Sequence, residues 1–331
     1  MSEIRYDLIH NEYVIIAPER LHKPIELATA KIQNPVNCPF CPGNENLTTK
    51  EIFSIKINGK WVTRVVPNLY KAVGIESNFD FDTDGMNEKF GGFGAHEIII
   101  DTPKHNASFA SMDLIEIYYF LKTLKQRVAD LKKDKRIVFL NVFKNKGIKA
   151  GASQPHPHTQ IIGLPLMSNF QRNLFKRSFD FYKKSGKSLY EEIFLFESKN
   201  KRKIYESNEF LIYAPFASAF AFESIILSKN FSSIENMSDD ILKELSIYIK
   251  KLFSALNKEL GEMDFNMLFY LPPVNKNFEN EDYFDEINNI FRFFIRVTPR
   301  IYNIAGFELM SSSGINPVVP EEAAKLLREK I

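Results

Sequence analysis

The sequence predicts an α+β fold in which one strand–helix–strand pattern runs twice. Three observations carry this. Apolar runs of strand length recur in both halves, each half holds one long segment with helical apolar spacing, and strands return after each of those segments. At 331 residues the chain has room for two modules, set at 1–175 and 195–331 with a connecting helix at 176–194.

In the first half, 61–66, 97–101 and 136–143 read as strands from their β-branched and aromatic content. Between the last two, 111–132 reads as a helix. Ile115, Tyr118, Tyr119, Leu121, Leu124, Val128 and Leu131 recur near 3.6 spacing, with Ser111 or Asp113 as cap candidates. A further strand enters through a histidine pair at 156–158. The second half repeats the pattern with strands at 210–214, 222–227, 263–270 and 291–297. Its helix at 238–260 carries Leu242, Leu245, Ile249, Leu252, Phe253 and Leu256. Between the halves, 168–198 reads as a helical link with a charged face. Segments 199–203 and 275–285 read as a solvated turn and a surface loop. Pro317 and Pro320, followed by Glu321 and Glu322, open a C-terminal helix.

Bulk composition excludes several classes. Hydrophobic content of 44% and charged content of 25% are ordinary for a globular domain. A net charge of +2 gives no case for nucleic acid, whose binders carry strongly basic domains. No apolar run is long enough to span a membrane, and Met1-Ser2-Glu3-Ile4-Arg5 lacks a signal peptide's apolar segment. The expectation is a cytoplasmic protein with no membrane partner.

The chemistry concentrates at Gly151-Ala152-Ser153-Gln154-Pro155-His156-Pro157-His158-Thr159-Gln160. Only six histidines occur, none after position 158, and two of them are here. Strand alternation would project His156, His158 and Gln160 to one face. Neutral imidazole is both a nucleophile and a metal ligand near pH 7. Leading into it, Lys144-Asn145-Lys146-Gly147-Ile148-Lys149-Ala150-Gly151-Ala152-Ser153 reads as a polar loop. Backbone amides, the Asn145 amide and the Ser153 hydroxyl there can donate to phosphate oxygens. The only two cysteines, Cys38 and Cys41, stand in Cys-Pro-Phe-Cys before a turn-rich stretch. That context fits a metal knuckle better than a redox dithiol. Two thiolates are still half a zinc site, and an ordinary metal-free pair is the alternative.

Taken together these residues resemble the galactose-1-phosphate uridylyltransferase family of the histidine-triad superfamily. The likeness rests on His-Pro-His-x-Gln with Asn145 and Ser153, and on the Cys-x-x-Cys pair. It continues through 18–24, 65–70, 101–105 and 305–308. It implies two histidine-triad-like modules and a homodimer. It also implies one structural Zn2+ on Cys38, Cys41, His105 and His156. His158 would be the nucleophile that takes a nucleotidyl group, and Gln160 would donate to a phosphate oxygen. Arg20 and Lys23 match basic positions that meet the diphosphate, although a surface salt bridge is the plain alternative for each. Asn68 matches a nucleoside contact and Glu308 a contact to sugar hydroxyls. Where relatives hold a second His-x-His, this chain reads Arg292-Phe293-Phe294-Ile295-Arg296, so a second metal site is not expected.

The first reading is therefore a uridylyltransferase that exchanges UMP between UDP-glucose and galactose 1-phosphate by a ping-pong route. The second is an ADP-sugar phosphorylase or adenylyltransferase with the same His158 chemistry. Pro157 favours the first. Asn68-Leu69-Tyr70, with leucine where uridine-specific relatives have aspartate, favours the second. A non-catalytic nucleotide-binding protein is a third reading, opposed by the intact His158 and Gln160.

Overall fold

The computed structural model describes residues 1–22, 37–276 and 281–331. The chain opens on a hairpin, β1 (Glu3–Asp7) and β2 (Glu12–Ile16). The first half adds β3 (Phe53–Ile57), β4 (Lys60–Pro67), an exposed hairpin of β5 (Phe81–Asp84) and β6 (Asn87–Phe90), and β7 (Ala95–Ile100). Helix α1 (Leu114–Leu131), β8 (Phe139–Lys146) and β9 (His158–Leu164) follow. Helices α2 (Asn169–Ser185) and α3 (Leu189–Glu197) lead to β10 (Lys203–Glu206), β11 (Phe210–Tyr213), β12 (Ser224–Ser228) and α4 (Asp239–Leu260). Then come β13 (Phe265–Tyr270), the short α5 (Ile287–Ile290), β14 (Phe294–Pro299), α6 (Gly306–Ser311), β15 (Ile315–Asn316) and α7 (Pro320–Arg328).

Ten of these strands form one antiparallel sheet in the order β10-β11-β12-β14-β13-β8-β9-β7-β4-β3. Number the sheet strands of each half in chain order. Outward from the central β8–β13 pair, both halves then run fourth, fifth, third, second, first. In both, the long helix joins third strand to fourth. Helices α1 and α4 lie side by side on one face and share one continuous core with it. They form a layer on a sheet, not a bundle. The amphipathic stripe explains this, since Ile117, Leu121, Leu124 and Val128 of α1 are fully buried.

The opposite face is divided. Over the second half, α2, α3 and α5 bury Phe175, Tyr190 and Phe194 against Leu211, Tyr213, Leu227 and Phe294. Over the first half, a small cluster of Cys38, Phe40, Val66, Ile98 and Ile100 covers the strands. Ile161 of β9 belongs to the core beneath α1 and α4. Its neighbours His158 and Gln160 therefore face the other way, toward the cysteine cluster.

Several boundaries differ from the sequence reading. The strand expected at 136–143 lies at Phe139–Lys146, so the first three residues of the presumed polar loop are strand. The link expected as one helix breaks in two at Gly186, which takes φ of 70°. Asp113 is the N-cap of α1, in a capping box with Glu116. The N-terminal hairpin went unread, and its second strand pairs in parallel with β15 from the other end of the chain.

Candidate active site and metal centre

The Cys-x-x-Cys turn is held by its own backbone. The Cys41 amide donates to the Cys38 carbonyl, and the Asn44 side chain caps that carbonyl at 2.8 Å. Gly43, at φ of +91°, permits the reversal that follows. The two sulfurs thus face His105, in the turn after β7, and His156, just before β9. Cys41 Sγ lies 3.3 Å from His105 Nδ1 and 3.6 Å from His156 Nδ1, and Cys38 Sγ lies 3.7 Å from His156 Nδ1. All four donor atoms fall within 4.8 Å of one another.

This donor set fits a tetrahedral metal. Zinc bonds of about 2.3 Å to sulfur and about 2.0 Å to nitrogen put donors roughly 3.3 to 3.8 Å apart. The second nitrogen of His156 donates to the Thr102 carbonyl at 2.9 Å, which leaves Nδ1 as the ligand atom. Burial holds the His156 pKa down at about 4, so the ring is neutral and its lone pair available. Burial, then the neighbouring Cys38, raises the Cys41 thiol to about 11. A cation must therefore displace its proton on binding.

His158 opens β9 beside this cluster, with the Phe40 ring 5.4 Å from its own. Its Nδ1 donates to the carbonyl of His156 at 2.9 Å. That bond fixes the tautomer and leaves the Nε2 lone pair as the reactive end. Burial lowers the pKa of His158, and the nearby Lys144 ammonium lowers it further. The ring is held neutral, and its orientation is set by the backbone of a metal-ligand candidate.

Two further groups were not legible as site residues. Lys144, assigned above to the polar loop, lies on β8 and is buried. Its Nζ donates to Asp101 Oδ2 at 2.7 Å and to the His158 carbonyl at 3.1 Å. His96 on β7 lies between Gln160 and Asn68. Its Nε2 is 3.0 Å from Gln160 Oε1 and 3.0 Å from Asn68 Nδ2, while its Nδ1 accepts from the Ala72 amide at 3.1 Å. On the paired strands β7 and β9, Ile98 stands opposite Gln160, so strand alternation puts His96, two residues before Ile98, on the same face as Gln160. That alternation was the available signal.

The other predicted residues are spread more widely. Asn68 and Gln160 meet through His96. Asn145 accepts from the Asn266 side chain at 2.8 Å, across the β8–β13 seam. Ser153 is exposed in the loop before His156. Arg20 is exposed on a short 3-10 turn at Pro18–His22. Glu308 is half-buried on α6, where it accepts from the Ala305 amide and so caps its own helix. Lys23 lies outside the described residues.

A family model described as galactose-1-phosphate uridyl transferase, N-terminal domain, matches residues 1–167. The chain belongs to the galactose-1-phosphate uridylyltransferase family. An ADP-glucose phosphorylase of Arabidopsis thaliana is 30% identical over 336 residues, covering 99% of this chain and 92% of the relative. A galactose-1-phosphate uridylyltransferase of Thermotoga maritima is 26% identical over 337 residues, covering 99% and 98%. The crystal structure of the Arabidopsis thaliana ADP-glucose phosphorylase with bound ADP-glucose matches with a TM-score of 0.85 at 28% identity, covering 99% of this chain and 98% of that one. Among the described residues no helix is long and apolar enough to cross a membrane.

Proposed function

We propose that this family member is a nucleotidyltransferase that moves a nucleoside monophosphate from a sugar nucleotide through a covalent adduct on His158. One observation carries the reading: His158 Nδ1–H is bonded to the His156 carbonyl, so Nε2 is the unprotonated nitrogen. Nε2 attacks the α-phosphorus, and the bond to the bridging oxygen breaks with release of a hexose 1-phosphate. The positive charge gained by the ring is shared with the carbonyl that already accepts its Nδ1 proton. A phosphate oxygen of the acceptor then attacks the same phosphorus, the P–N bond breaks, and His158 leaves neutral. No net proton transfer is needed in either half-reaction. Gln160 donates from its carboxamide to a non-bridging oxygen as charge builds there. Asn145, Ser153, Arg20 and Lys23 are proposed as phosphate contacts, Asn68 as a nucleoside contact and Glu308 as a sugar contact.

The metal proposed for Cys38, Cys41, His105 and His156 is zinc. Four protein donors leave no place for water, so its part is structural, holding His156 and through it the carbonyl that orients His158. The two halves, 1–175 and 195–331, are proposed as two histidine-triad-like modules, a reading supported by their matching strand order.

UDP-glucose with galactose 1-phosphate as acceptor is the first reading of the donor, supported by Pro157 and by the Thermotoga maritima relative. ADP-glucose with a phosphorylase outcome is the second, favoured by Leu69 beside Asn68 and by the Arabidopsis thaliana relative. Intact-mass measurement after incubation with each sugar nucleotide tests both. A uridylyl or an adenylyl increment is expected on wild type and none on His158→Ala. No increment from either donor, with sequential kinetics, defeats the covalent route.

A further inference from the structure

We propose that His96 is a positioning residue that fixes the carboxamide of Gln160, an inference that rests on the nucleotidyl-transfer reading above. Three contacts determine the arrangement. The Ala72 amide donates to His96 Nδ1 at 3.1 Å, so that nitrogen bears a lone pair and the ring proton sits on Nε2. Two side chains lie 3.0 Å from Nε2, Asn68 through its amide nitrogen and Gln160 through its amide oxygen. Two N–H groups do not bond each other. Turning the Asn68 amide over is opposed as well, because its oxygen accepts from the Tyr70 amide at 2.9 Å. Gln160 Oε1 is therefore the acceptor of the Nε2 proton.

The consequence for chemistry is directional. A carboxamide has one accepting end and one donating end, and a phosphate oxygen can use only the donor. With its oxygen committed to His96, Gln160 keeps its NH2 group as the end left for the phosphate. The reversed amide would set an oxygen lone pair against an anion. His96 thus selects the productive orientation, much as a second layer of hydrogen bonds orients metal ligands. The ring is in turn located by the backbone of the 68–72 segment, whose Asn68 is the proposed nucleoside contact.

The test is a double-variant cycle on the full-length protein, read as the rate of adduct formation with UDP-glucose and with ADP-glucose. His96→Leu removes the donor, His96→Gln restores an amide donor at about the place of Nε2, and Gln160→Leu removes the group being positioned. His96→Leu is expected to slow adduct formation on the order of 10-fold to 100-fold, with His96→Gln recovering most of it. In the Gln160→Leu background, His96→Leu should cost little more. A merely structural role would give additive losses and no rescue, and either result overturns the proposal. Histidine nitrogen shifts from 15N-labelled protein need no turnover. They are expected to show the His96 proton on Nε2 and a shift of that resonance in Gln160→Leu. A proton on Nδ1, or no response to Gln160→Leu, rejects the positioning role even where wild type forms no adduct. Absence of the wild-type adduct alone rejects the covalent reading instead.

Discussion

Lys144 and Asp101 show how a residue-scale reading can invert. In sequence, Lys144-Asn145-Lys146 looks like solvated loop, because three polar residues interrupt an apolar run. In the fold the strand continues through them and alternation sends Lys144 inward, where Asp101 is wholly buried. Removing one partner of such a pair strands a charge, whereas removing both is far milder. Lys144→Met is expected to cost about 3–5 kcal/mol of stability, by the usual range for breaking a buried pair. In an Asp101→Asn background the same change should cost clearly less, and equal costs in urea unfolding would contradict the pairing. The histidines and cysteines, by contrast, were legible because few residue types do their chemistry and this chain has few of them. His96 escaped because an isolated histidine on a strand is usually an ordinary polar position.

The metal cluster gives a second prediction at this scale. Elemental analysis of protein purified without chelator should find close to one zinc per chain. His105→Ala should lower the melting temperature more than it lowers turnover per folded molecule, since a structural site acts through the fold. Well under one zinc in wild type would count against the assignment.

At the scale of elements, the two long helices were readable to within three residues, because eighteen and twenty-two residues of helical periodicity leave no competing pattern. Short strands were harder. The β5–β6 hairpin is exposed throughout, and β2 buries only Val14 and Ile16, against Ala217, so the alternation that marks a half-buried strand is absent in the one and short in the other. The turn between β8 and β9 carries a constraint invisible in sequence. Gly147 takes φ of +85°, and a Cβ there would lie 1.8 Å from Asp264 Oδ1. That carboxylate accepts from the Lys149 amide at 2.8 Å and so anchors the turn that leads to the histidines. Gly147→Ala should destabilise by more than about 1 kcal/mol, since alanine tolerates neither the positive φ nor the contact. A melting temperature unchanged from wild type would show that the turn relaxes freely.

Across the whole molecule, the pairing of β8 with β13 makes one sheet of two similar halves, and the core beneath α1 and α4 runs through both. Unfolding either half exposes the other's central strand edge. Calorimetry is therefore expected to show one cooperative transition, and two resolved transitions would mean the seam is weak. The outer tie is electrostatic. Asp7 of the N-terminal hairpin bonds His10 at 2.7 Å, His10 Nε2 lies 3.2 Å from the Tyr270 hydroxyl, and Arg296 bonds Glu223 at 2.7 Å nearby. Burial pushes the Asp7 carboxyl upward, but the His10 charge and hydrogen bonds, with Arg296, outweigh it and hold the pKa at about 2. A carboxylate whose folded pKa lies below its unfolded value of 3.8 stabilises the fold above that value and ceases to do so as pH falls through about 2. The difference is worth about 2 kcal/mol at neutral pH. Wild type and Asp7→Asn should therefore differ in urea midpoint at pH 5 and above and converge as the pH approaches 2. Curves that stay parallel down to that pH would show that Asp7 acts through packing and not through its charge.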